Sequence, residues 1–252
     1  MKNKKLFINL CLIFCAILGF GIIIHHMIRF IYADFFIENP NVTTFVGENV
    51  VNPWIDLTFF TYITVIIFSL WCLLYALSNI FSFKKLNNFL RKNTVICFVF
   101  CNYLLTFALY TIFQLVDEPT FGWFGDLPLS WHSLYCSIIL HYVFFIIECV
   151  LFAKIKTTQS NHKNGHIYST LFLFAYYTIV KLLGEFAYQI RYFPYIIFDA
   201  KSFGEIFGVS NYLECIILLV ACCAILFVLY QLVFYILLKI KTKQQEKSET
   251  IS

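Results

Sequence analysis

Six stretches of this chain run for more than twenty residues with almost no charge: about 6–28, 57–81, 94–115, 132–153, 167–188 and 211–238. A bilayer core of roughly 30 Å is crossed by about twenty apolar residues in a helix. Lipid gives a bare backbone nothing to hydrogen-bond, so such stretches must be helical. Phe, Ile, Val and Tyr make some of them strand-like by local propensity, but their length decides for helices. The pattern predicts an all-α polytopic membrane protein, with residues 1–240 forming one bundle of six transmembrane helices. Residues 241–252 read as a short disordered cytoplasmic tail. Composition agrees: 61% of the 252 residues are apolar and only 13% are charged, an excess that one folded core does not hide from water. A soluble enzyme, a disordered chain and a nucleic-acid binder with a basic face are excluded.

The basic residues set the direction. Lys2, Lys4, Lys5, then Lys84, Lys85, Arg91, Lys92, then Lys154, Lys156, Lys163, and finally Lys239, Lys241, Lys243 and Lys247 fall on one side, 14 of the 18 Lys and Arg. The positive-inside rule puts that side in the cytoplasm. Both termini are then cytoplasmic, which requires an even number of spans, and six is even. The net charge of +4 is therefore a topology signal and not a clue to an acidic partner. The first span follows a basic start but is too long for a cleaved signal, so it reads as a retained anchor in the cell membrane. The opposite loops hold all five prolines and are expected to cap the outer mouth of the bundle. The ten cysteines lie inside apolar runs, as small buried hydrophobes do, and not in loops where disulfides form. Usage rich in Lys, Asn and Ile but poor in Arg resembles that of an AT-rich bacterial genome.

Ionisable groups inside spans are costly and therefore functional candidates. In span four, His141 and Glu148 are seven residues apart and share a helix face, about two turns from each other. His141 could be a general base, a metal ligand or a hydrogen-bonded packing residue; with no second ligand at suitable spacing, metal is the weakest of the three. In span five, Lys181 and Glu185 stand at i,i+4, the spacing of an ion pair, though Lys181 could also meet a substrate carboxylate. Span three carries Asn102, Thr106, Tyr110 and Gln114 at every fourth position, a stripe that commonly joins helices by hydrogen bonds. No cofactor is implied, and the only partner read directly is the lipid bilayer.

Span two opens with Thr58 and Thr61 on one face. Most helical threonines bond their own backbone. Thr61 gains interest beside His141, since both lie in the outer halves of their helices, and a threonine hydroxyl next to a histidine is a nucleophile and base.

At these residues the chain resembles the androgen-induced-gene family of six-span membrane proteins and their prokaryotic integral-membrane relatives. The likeness rests on Phe60-Thr61-Tyr62-Ile63, on Leu140-His141-Tyr142-Val143, and on the aromatic segment from Phe193 to Asp199 with Gly204 after it. Animal members are intramembrane threonine hydrolases that cleave esters of hydroxy fatty acids. The resemblance implies Thr61 as nucleophile and His141 as base, acting on a lipid ester. An oxyanion donor would be needed too, with Tyr62 or Asn102 as candidates. The alternatives are a small-molecule or lipid transporter or binding protein lined by Glu148, Lys181 and Glu185, and a structural membrane protein.

Overall fold

A computed structural model describes residues 2–31, 60–116, 138–158, 165–182, 201, 204 and 208–250. Its elements are α1 (Lys2–Ile31), α2 (Phe60–Ile80), α3 (Lys84–Leu90), α4 (Asn93–Val116), a π-helical turn (Ile139–Val143) running into α5 (Phe144–Lys154), α6 (Gly165–Leu182) and α7 (Tyr212–Thr250). Among the described residues no strand forms, and the fold is all-helical. Among the described residues, four segments are long and apolar enough to cross a membrane: Leu6–His25, Phe60–Ile80, Asn93–Thr111 and Tyr212–Glu246. Spans four and five are described only from residue 138 and up to residue 182 respectively. The outer-loop cap and the aromatic segment at Phe193–Asp199 lie outside the described residues.

The helices bury one face against each other and leave apolar side chains on the other. Phe14 and Ile17 on α1, Ile146 on α5 and Phe174 on α6 are all more than 60% exposed. Only 6% of the apolar span of α7 is buried, so this helix lies at the edge of the bundle, against α4 and α6. In water that surface would be a large liability; in lipid it is the expected one.

α1 packs on α2 through a close approach at Gly19, where a Cβ would stand 2.0 Å from Ser69 Oγ. Small residues at such crossings let helix backbones meet, the main source of packing energy where lipid supplies no hydrophobic drive. In the middle of the bundle Phe68 of α2 meets the rings of Tyr103 of α4 and Phe144 of α5, with centroids 5.9 and 5.8 Å away.

The end of the bundle that carries α3 is tied by polar contacts. Asn79 Nδ2 donates to Asn9 Oδ1 at 3.0 Å, and Asn87 Nδ2 donates to Asn79 Oδ1 at 2.8 Å, linking α1, α2 and α3. Trp71 Nε1 donates to the Leu90 carbonyl at 3.1 Å. Residues 91–93 pair with Thr158 through backbone bonds, and Arg91 Nε donates to the Lys156 carbonyl at 2.8 Å.

Two features differ from the sequence reading. α3 forms within a loop, and the expected disordered tail is replaced by a continuing helix, since α7 runs to Thr250. The reason is local and tertiary together. Lys, Gln and Glu between Lys239 and Glu246 are good helix formers, and Lys241, Thr242 and Gln245 are each held by a hydrogen bond.

Candidate functional site

His141 sits in the π-helical turn, where Phe144 N–H reaches back to the Ile139 carbonyl, five residues away. Such turns are rare and often occur at functional sites. The turn contains no Pro or Gly to force it. It is braced from α4, where the Tyr103 hydroxyl donates to the Leu140 carbonyl. His141 is buried, and its Nδ1 has no hydrogen-bond partner among the described residues. Its imidazole lies flat on the Tyr110 ring, with centroids 3.6 Å apart and planes within 4°. Tyr142 packs edge-on against Tyr110 and against Phe107, and Phe107 lies face to face with Phe145. A buried imidazole nitrogen without a partner is expensive, and it leaves Nδ1 open to a hydrogen-bonding partner.

Thr61 lies seven residues before Phe68 on the same face of α2. Tyr110 lies seven residues after Tyr103 on α4, and His141 three before Phe144. The Phe68, Tyr103 and Phe144 rings pack together, so Thr61, Tyr110 and His141 all lie on the side of that cluster remote from α3. A polar rail runs from the Thr61 backbone across to α4. The Thr64 hydroxyl donates to the Thr61 carbonyl at 2.8 Å and lies 3.1 Å from the Thr106 hydroxyl, which itself lies 3.1 Å from the Asn102 carbonyl. Among the described residues no hydrogen bond joins the Thr61 hydroxyl to His141.

Asn102 is fully buried and already engaged. Its Nδ2 donates to the Phe98 carbonyl at 2.7 Å and its Oδ1 accepts from the Tyr230 hydroxyl at 3.3 Å. It joins α4 to α7, as the every-fourth stripe on span three suggests, and Thr106 joins α4 to α2. Glu148 is buried with both carboxyl oxygens unpartnered among the described residues. It lines a small apolar pocket of about 20 Å³ together with Phe68, Trp71, Phe100, Leu151 and Phe152. His141 and Glu148 do not meet. The Lys181 side chain and the whole of Glu185 lie outside the described residues. No group of three or more metal-binding side chains occurs among the described residues, and the nine described cysteines are free thiols.

Sequence reasoning missed two parts of this arrangement. The Tyr110–His141 stack has a weak signal, the seven-residue spacing of Tyr103 and Tyr110 on one face of α4. Lys241 has a misleading one, because a lysine near a charged terminus reads as solvated. Its Nζ instead bonds the carbonyls of Phe152 and Ile155, the latter at 3.3 Å, and covers the Phe152 ring at 4.4 Å.

Fold and site together define an all-helical, multi-pass membrane protein with a buried histidine stacked on a tyrosine ring. Comparison with known proteins finds no matching family model, no matching curated protein and no matching solved structure.

Proposed function

We propose that this chain is a six-span protein of the cell membrane, both termini cytoplasmic, that hydrolyses lipid esters with Thr61 as nucleophile and His141 as base. The observation that carries the reading is His141 itself: a buried imidazole with an open Nδ1, held on the same side of the central ring cluster as Thr61. The Thr61 hydroxyl attacks the acyl carbonyl and passes its proton to His141. The ester C–O bond breaks, the proton goes to the leaving alcohol, and water then releases the acid from the acyl-threonine. Tyr62, half-buried beside Thr61, and Asn102, held by Phe98 and Tyr230, are the candidate oxyanion donors.

Labelling of membranes with a fluorophosphonate probe tests the assignment. Thr61→Ala abolishes labelling, and His141→Ala slows it by about 10²-fold or more, the usual contribution of a general base. Both variants remain in the membrane. Full labelling of both would turn the assignment to the second reading, a non-catalytic lipid or small-molecule carrier. The feature favouring that reading is Glu148, a buried carboxyl with both oxygens unpartnered among the described residues.

A further inference from the structure

In most histidine-assisted hydrolases a carboxylate on the second ring nitrogen steadies the imidazole and the charge it acquires. Nothing of that kind faces His141 among the described residues. Its Nδ1 is unpartnered, and Glu148, the acid on the same helix, lies seven residues on, roughly 10 Å along the axis. What does face His141 is the Tyr110 ring, parallel within 4° and 3.6 Å away. That separation is full van der Waals contact between two flat rings, so it fixes the plane in which both imidazole nitrogens point. An aromatic face also attracts positive charge, most strongly where water is excluded. A neutral imidazole gains little from that attraction. An imidazolium gains much more, so the interaction grows as the proton arrives, which is the condition for speeding a reaction and not merely binding its substrate.

Resting on the hydrolase reading, we infer that Tyr110 is the positioning residue of this site, its ring face replacing the carboxylate that orients and supports the histidine elsewhere. The π-helical turn serves the same end. It swings His141 onto Tyr110 while Tyr103, one face-repeat earlier on α4, bonds the Leu140 carbonyl beside it. The required feature is the ring, not its hydroxyl.

The test uses the full chain in membranes and the same fluorophosphonate probe. In that reaction the Thr61 Oγ–P bond forms, the P–F bond breaks, fluoride leaves and the Thr61 proton passes to His141. Tyr110→Leu removes the face and lowers the maximal labelling rate by about tenfold or more, with half-saturating probe concentration changed less than about twofold. Tyr110→Phe keeps the face and stays within about threefold of the parent. A Leu variant labelled at the parental rate would overturn the inference, as would a Phe variant as slow as the Leu one. Should the Leu variant fail to fold, the stack is read directly from isotope-labelled histidine in the parent and the Phe variant. Ring current from Tyr110 moves the His141 carbon-bound protons upfield in both, and their absence of shift would refute the stack. Full labelling of Thr61→Ala overturns the hydrolase reading and the role of Tyr110 with it. Loss of labelling in Thr61→Ala with an undiminished rate in Tyr110→Leu overturns the role of Tyr110 alone.

Discussion

Single residues in this bundle are held by whichever polar partner the membrane interior leaves them. Lys241 shows the rule most plainly. The last carbonyls of any helix lack donors, and those of Phe152 and Ile155 at the end of α5 find one in the Lys241 ammonium on α7, with Gln244 Oε1 accepting from it at 3.2 Å. The aliphatic stem fills space among apolar side chains while the head reaches the helix end. Lys241→Met keeps the stem and removes the donor, leaving buried carbonyls short of a partner, a loss of about 1–3 kcal/mol. The expected outcome is a lower thermal midpoint in detergent micelles than for Lys243→Met, an exposed lysine two residues away. Equal midpoints for the two variants would remove Lys241 from the account of stability. Lys241 also marks where reading residues from sequence stops. Asn102 and Thr106 were legible as helix-joining groups because a polar side chain in lipid must find a partner. The partner of Lys241 was not, because nothing in the spacing of residue 241 points to residues 152 and 155.

At the scale of elements, the four long apolar helices seen among the described residues were legible because length and the absence of charge leave a bilayer segment no other structure. The π-helical turn was not. Its sequence, Ile139-Leu140-His141-Tyr142-Val143, is ordinary for a helix, and the extra residue is accommodated through Tyr103 on a different helix. α3 was hidden for a similar reason: seven residues are too few for a helix to stand alone, and Asn87 holds it to α2 through Ser78 and Asn79. The closest approach of α1 to α2 leaves no room for one more atom. A methyl group at residue 19 would collide with Ser69 Oγ at 2.0 Å, and behind it stand Ser69 Cβ at 3.2 Å and Val65 Cγ1 at 3.4 Å. Gly19→Ala is expected to destabilise the pair by about 1–3 kcal/mol, as overpacking does. Because the Ser69 hydroxyl is buried without a partner among the described residues, Ser69→Ala removes the obstructing atom at little cost and restores most of the loss. A double-mutant cycle on thermal midpoints measures this coupling. Additive effects would mean that the helices do not meet at this pair.

For the whole molecule, the distribution of polar order carries an argument about orientation. The end holding α3 is fastened by Asn9, Asn79, Asn87, Arg91, Asn93, Thr158 and Lys241, which tie together α1 through α5 and α7. The basic clusters at Lys2 to Lys5, Lys84 to Lys92, Lys154 to Lys156 and Lys239 to Lys243 gather at that same end, since α2 runs into it, α4 starts from it, and α5 and α7 finish there. Positive charge near short loops is retained on the cytoplasmic side during insertion. The proposed topology therefore makes the fastened end the cytoplasmic one and the Thr61–His141 end the outer one, so that a substrate enters from the outer leaflet. A green fluorescent protein fused after Ser252 is expected to fluoresce, and alkaline phosphatase fused after Gly122, between α4 and the π-helical turn in the sequence, is expected to be active. A dark C-terminal fusion together with an inactive phosphatase would invert the chain. The inversion would move His141 to the cytoplasmic leaflet without altering one contact inside the bundle, because Tyr110, Tyr103 and the π-helical turn hold it whichever way the helices face.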